Sequence, residues 1–363
     1  MSYWCFVLTL SCVSLFPDLA ETNWQFSEFN RSDANPILGP CASTLFYCPV
    51  RNKEIHWEEK HVFNPAAIVR DGKVYLIYRA EDDSGERVGT YTSRLGLAES
   101  EDGIHFQRRE YPVLSPDMDN QSTYEFPGGC EDPRIIETEE GLYIMTYTQW
   151  NRKIAALAIA TSTDLIYWRK WGYAFKDDVH LGRRWSKSGS IIVRREGDRL
   201  IATKIQGKYW MYWGDGTIYA ATSEDLITWQ PVVDEHFQLV SVLSPREGQF
   251  DSRLVEAGPP ALLTEHGIVL IYNGQNARTG GDSNLLGMTY SVGQVLFDVN
   301  DPINVLARSD QYFLKPEYPY EKKGQYRWGA IFAEGLVHFH DQWFLYYGSA
   351  DTKIGVAISQ DEH

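Results

Sequence analysis

Along this chain apolar residues alternate with polar ones or gather into short runs bounded by Gly, Asp and Asn, while the i, i+3, i+4 spacing of an amphipathic helix is nearly absent. One order of segments recurs five times: an apolar strand, a turn of Gly or charged residues, an aromatic-rich strand, then a strand of small and apolar residues. The first copy runs from Asn64-Pro-Ala-Ala-Ile-Val through Val74-Tyr-Leu-Ile-Tyr-Arg79 to Ser93-Arg-Leu-Gly-Leu-Ala, and closes on Phe106. The second opens at Asp132-Pro-Arg-Ile-Ile and closes on Trp168; the third opens at Ser188-Gly-Ser-Ile-Ile and closes on Trp229. The fourth begins near Gly258-Pro-Pro-Ala-Leu-Leu, and the fifth at Glu334-Gly-Leu-Val-His-Phe, ending in Lys353-Ile-Gly-Val-Ala-Ile-Ser. Ala-Thr-Ser-x-Asp-Leu-x-x-Trp occurs before both Trp168 and Trp229, with a relative before Phe106, so each of these copies carries an Asp-led turn and an aromatic plug. The pattern predicts an all-β fold, a five-bladed β-propeller with its active site at the central channel. Copies recur every ~55–75 residues, longer than in simpler propeller families, so the excess falls in long loops where function concentrates.

No Pro- or Gly-rich linker divides the chain, and residues 21–363 are read as a single propeller domain. Residues 1–20 have the character of a signal peptide: an apolar run from Tyr3 to Phe16, then Ala20 as a small cleavage-site residue, although no Lys or Arg precedes Arg31. This predicts a secreted or periplasmic protein, and the run is too short for a comfortable membrane span. Cleavage would remove Cys5 and Cys12 and leave Cys41, Cys48 and Cys130, of which Cys41 and Cys48 can pair in an oxidising compartment. Among 363 residues, 49 Asp and Glu against 34 Lys and Arg give a net charge of -15, which opposes nucleic acid and anionic membrane surfaces as partners. The 12 Trp and 22 Tyr suit strands and equally suit sugar-binding clefts, so a neutral substrate fits better. The histidines are scattered and no Gly-rich passage matches a phosphate or dinucleotide loop, so neither a metal nor a cofactor is expected.

In a propeller the first strand of each blade lines the channel, so the repeat starts converge on one cavity. Those starts are polar here: Asn64, Glu131-Asp-Pro-Arg134, Lys187, Glu256, Glu334, with Asp351 near the end of the fifth copy. Carboxylates aimed at one pocket push each other's pKa values apart, which is what glycoside cleavage by an acid and a base requires. Asp132 and Glu256 are the leading candidates.

The chain resembles glycoside hydrolase family 130, the mannoside phosphorylases and β-1,2-mannosidases. The resemblance rests on Phe63-Asn-Pro-Ala-Ala-Ile with Tyr78-Arg-Ala-Glu, Ser93-Arg-Leu-Gly-Leu-Ala, Glu131-Asp-Pro-Arg-Ile, Gly258-Pro-Pro-Ala with Leu270-Ile-Tyr-Asn-Gly, and Tyr347-Gly-Ser-Ala-Asp-Thr. It implies Asp132 as the general acid, acting through a hydroxyl of the bound mannose, and Asn64, Arg79, Ser93, Arg94 and Asp351 as ligands of that mannose. Two departures distinguish the branches. Phosphorylases of the family follow Lys-Ile-x-Gly-Lys-Tyr with a His-Arg pair that helps hold phosphate, whereas here Lys204-Ile-Gln-Gly-Lys-Tyr209 leads to Trp213 and Gly214 at those positions. Leu254-Val-Glu-Ala-Gly-Pro-Pro260 also places Glu256 where phosphate needs neutrality or positive charge. The resemblance therefore implies an inverting, exo-acting hydrolase of β-mannosides, β-1,2-linked, with Glu256 as the general base and Asp215 as a second candidate or a water-orienting helper. Arg134, Lys187 and Lys204 remain as substrate-binding cations, which keeps a phosphorylase producing mannose 1-phosphate as the alternative. A non-catalytic carbohydrate-binding propeller is the second alternative.

Overall fold

A computed structural model describes residues 24–178 and 182–360. The expected leader, with Cys5 and Cys12, lies outside the described residues. The fold is nearly all β; among the described residues only Ser122–Glu125 and Pro319–Lys322 are helical, one turn each.

The strands follow one another as five antiparallel meanders. The first comprises His61–Arg70, Lys73–Glu81, Ser93–Ser100 and Gln107–Arg108. Gly129–Glu137, Tyr143–Trp150, Ala155–Ser162 and Arg169–Tyr173 make the second. In the third, Ser190–Glu196 pairs at one end with Lys208–Trp213 and at the other with Arg199–Ala202, and Ile218–Ser223 follows. Leu254–Ala257 and Ala261–Thr264 together lead the fourth, against Gly267–Gln275, Tyr290–Asp298 and Asp301–Arg308. Ile331–Phe339, Gln342–Ser349 and Lys353–Ser359 form the fifth, which is completed by Asn30–Arg31 from the other end of the chain.

Period-two alternation explains how the meanders pack. In Lys73–Glu81, Val74, Leu76, Tyr78 and Ala80 point into a core shared with Phe344 and Tyr346 of the fifth meander, while Ile77 enters a core shared with Met145 and Tyr147 of the second. Tyr212 and Ile218 meet Leu270 and Tyr272 in the same way between the third and fourth. The leading strands also touch one another: His61–Arg70 packs on both Gly129–Glu137 and Ile331–Phe339, and Ser190–Glu196 runs parallel to Ala261–Thr264. Gly129–Glu137 and Ile331–Phe339 are buried along their whole length, so any polar side chain on them must find a partner inside the protein.

Three leading strands break their ladders where those polar residues sit. The register shifts between Phe63 and Pro65, between Glu131 and Arg134, and between Ala333 and Gly335. Asn64 and Asp132 stand at these breaks with φ of 48° and 47°, a left-handed conformation that Asn and Asp tolerate better than other side chains. The proline after each has no N–H to lose from the ladder. Cys41 and Cys48 do not pair: both are free thiols, Cys48 accepting from Arg94 Nη2 at 3.4 Å and Cys41 lying 3.2 Å from Ser43 Oγ.

Candidate active site

Arg79 organises one half of the site. Its Nη1 reaches Asp132 Oδ1 at 3.0 Å, its Nη2 reaches Glu81 Oε1 at 2.6 Å and Glu131 Oε1 at 2.8 Å, and its Nε donates to Ser93 Oγ at 3.1 Å. Asn64 Nδ2 donates to the same Asp132 oxygen at 2.9 Å, and Gln325 Nε2 donates to Glu81 Oε2 at 2.9 Å. A single guanidinium cannot neutralise three buried carboxylates, so one of them retains a proton more readily than in water. Burial, reinforced by the neighbouring Asp132 charge and opposed by Arg79, pushes Glu131 up to about 7. Asp351 is likewise raised to about 7, by burial first and then by Asp132 and Glu81, against the pull of Arg79. Burial also works against ionised Asp132, but Lys187, Arg79 and the Asn64 hydrogen bond outweigh it and hold this carboxyl well below the usual range.

Lys187 joins that half to a second one. Its Nζ lies 3.1 Å from Asp132 Oδ2 and 3.6 Å from Glu256 Oε1. Glu256, 3% exposed, accepts a hydrogen bond from the hydroxyl of Ser188, whose own φ is 56°. Asp215 sits directly opposite Glu256 in an antiparallel pairing, and Trp185 Nε1 donates to Asp215 Oδ1 at 2.7 Å. Burial raises the Glu256 carboxyl and the Asp215 charge adds to this, with Lys187 and the Ser188 hydroxyl working the other way. The Lys187 ammonium is held firmly charged, because Glu256, Asp132, Asp215 and Glu131 together overcome its desolvation.

The fold thus brings together Asn64, Arg79, Ser93, Asp132, Lys187, Asp215, Glu256 and Asp351. Of the other expected ligands, Arg134 borders this cluster, while Arg94 and Lys204 lie outside it. Arg134 is engaged with the carbonyls of Gly258, Ala257 and Asp132 and with Glu334 at 3.2 Å, so its donors knit the leading strands together. Arg94 is fully buried against Asp82 at 2.9 Å, on the face of its strand opposite Ser93. Lys204 is exposed, with its ammonium 4.9 Å from the Tyr209 ring centroid.

Two members were given no role in the site by the sequence. Glu81 is one, although Arg79 and Glu81 are two apart on a strand and therefore share a face. Ser188, which opens the third copy, acts as a donor to Glu256. Glu334, one of the polar repeat starts, is fully buried with its Oε1 3.2 Å from Arg134 Nη2, and burial, opposed by Arg134, pushes it well above the ordinary carboxylate range.

Trp213 is turned into the core, its ring 4.6 Å from that of Phe175 and 5.2 Å from that of Tyr219. Gly214 has φ of 118°, its N–H bonds to Lys187 O at 2.8 Å, and a Cβ there would fall 2.4 Å from Thr217 O. Neither position offers a cation.

The family model Glyco_hydro_130, described as beta-1,4-mannooligosaccharide phosphorylase, matches residues 29–363. The chain belongs to glycoside hydrolase family 130. A family 130 relative, the 1,2-beta-oligomannan phosphorylase of Thermoanaerobacter sp., is 35% identical over 336 residues, spanning 91% of this chain and 97% of its own. A solved putative glycosidase from Bacteroides thetaiotaomicron is 48% identical with a TM-score of 0.93, covering 94% of this chain and 99% of that one. Another solved structure, 49% identical with a TM-score of 0.93 over 94% of this chain and 96% of that one, is described under the finding that the GH130 family of mannoside phosphorylases contains glycoside hydrolases that target beta-1,2 mannosidic linkages in Candida mannan. Family 130 membership makes this chain an enzyme family member acting on mannosides, with the paired carboxylates at the point where the leading strands meet.

Proposed function

We propose that this chain is an inverting, exo-acting hydrolase that releases mannose from β-1,2-linked mannosides, and that its five meanders are the blades of a propeller whose central channel holds the site. The observation that carries the reading is Glu256, a buried carboxyl with raised pKa, facing Asp215 and sharing the Lys187 ammonium with Asp132. Glu256 takes a proton from water as the water oxygen attacks the anomeric carbon, with Asp215 orienting that water. The glycosidic oxygen departs with a proton passed from Asp132 through a hydroxyl of the mannose. For that step Asp132 must carry a proton, which the site can supply near neutral pH because Glu131 and Asp351, raised to about 7, lie in the same buried carboxylate cluster; the proton goes from Asp132 to the mannose hydroxyl as that hydroxyl gives its own to the departing oxygen. The two Lys187 contacts hold Asp132 Oδ2 and Glu256 Oε1 no farther apart than about the lower edge of the roughly 6.5–9.5 Å used by inverting enzymes, so the inverting reading relies on the hydroxyl relay to extend the effective reach of the acid.

The phosphorylase reading has its own support in the 35% identical oligomannan phosphorylase and in the retained Lys187. Against it, Trp213 and Gly214 supply no charge, and Glu256 repels an anion. The deciding experiment is incubation with β-1,2-mannobiose with and without phosphate. Free mannose released at a rate indifferent to phosphate is expected; mannose 1-phosphate formed at a rival rate overturns the hydrolase. We also propose export, with residues 1–20 as a signal peptide and 21–363 as one catalytic domain, which N-terminal sequencing of the natively produced protein tests.

A further inference from the structure

Trp185 is an exposed tryptophan with fixed contacts. Half of its surface, 51%, is open, yet the indole N–H is committed to Asp215 Oδ1 and its ring meets Trp150 edge-on at 5.8 Å and 72°. Trp150 is itself anchored, its Nε1 donating to Gly89 O at 3.0 Å. The segment carrying Trp185 is pinned on the other side, where Ser186 N donates to Ala155 O at 3.0 Å and Ser186 Oγ accepts from Leu157 N at 3.0 Å. Two residues further along the same segment lies Lys187, and then Ser188, the donor to Glu256. A single rigid stretch therefore supplies three groups to the Asp215–Glu256 pair: an indole N–H, an ammonium and a hydroxyl.

We propose that Trp185 is a positioning residue for the nucleophilic water, acting through Asp215. By occupying Oδ1 it fixes the carboxylate plane and leaves Oδ2 as the oxygen free to hold water beside Glu256. An N–H given to a carboxylate is a charge-assisted bond, and rotation of Asp215 away from its partner would forfeit it. This inference rests on the hydrolase reading.

Trp185→Phe removes the donor and keeps the ring. The expected result is a kcat about tenfold lower with KM within about twofold, because an interaction that orients water is felt in the transition state and not in sugar binding. In an Asp215→Ala background the same substitution adds no further loss. A wild-type kcat, a loss confined to KM, or a full additional loss without Asp215 overturns the proposal. Trp185→Leu carries the same expectations if the Phe variant does not melt cooperatively. Mannose and mannose 1-phosphate are both measured, so failure of the hydrolase reading is seen in the wild type before any variant is compared.

Discussion

Asp132 holds four contacts at once: Asn64, Arg79 and Lys187 on its carboxylate and Arg134 on its carbonyl. Asp132→Asn keeps the shape and removes the acid, and turnover should fall by roughly 10²–10⁴ with mannose affinity nearly kept, measured by initial rates and calorimetry. On the other side, Glu256→Gln should be more damaging than Asp215→Asn, because Glu256 is buried on Lys187 and Ser188 whereas Asp215 is partly open; equal losses would mean that the base is shared. Asp132 was legible through its place at a repeat start, Glu256 through its place just before the fourth, and Asp215 only through the resemblance. The contacts that Arg94 and Arg134 make were not legible, because a motif records neighbours in order, not the face each occupies. Ser93 and Arg94 are adjacent, so strand geometry alone sends them opposite ways, one to Arg79 and the other to Asp82.

At the scale of the element, the recurring Ser-x-Asp turn shows the same bonds three times. Ser100, Ser162 and Ser223 each donate to the Asp two residues on, and Asp102, Asp164 and Asp225 each accept the N–H groups two and three residues further. Asp164→Ala should therefore cost about 1.5–3 kcal/mol in a denaturant melt, the range for hydrogen bonds to a charged group, without changing activity. The strands between these turns were legible from alternation and from Gly and Asp punctuation. Less was legible where the chain departs from one strand per segment. The fourth meander leads with Leu254–Ala257 and resumes at Ala261 after Gly258-Pro-Pro260, so a reading that starts it at Gly258 misses the strand that carries Glu256. The hairpin of Phe46–Cys48 with Lys53–Ile55 also escaped notice, being short and outside the repeat.

Across the whole molecule the buried carboxyls set the response to pH. Glu131 and Asp351 titrate near 7 in the fold and near the ordinary carboxylate value when unfolded, so the native state binds more protons in between and stability falls as pH rises from about 4.5 to 7. Glu256 and Glu334 are raised and act in the same sense. His61, lowered to about 4 by burial and by Arg79 and Lys60, acts oppositely below its unfolded value of 6.5 and offsets only part of the trend. The midpoint of thermal unfolding should thus be higher near pH 5 than near pH 8, and a flat or rising profile would contradict the buried-proton account. The fifth sheet has a different kind of consequence. Asn30–Arg31 pairs with Lys353–Ser359, the Asn35 side chain brackets Val356 with two 2.8 Å bonds, and Arg31 reaches the buried Glu321 at 2.7 Å. A ribosome makes the two sides of this seam 321 residues apart, so at roughly 5–20 residues per second the early strand waits for its partner for on the order of tens of seconds. During that interval its edge and the apolar faces of the earlier sheets have no cover from the fifth, which makes the nascent chain, more than the finished enzyme, the species that chaperones must protect.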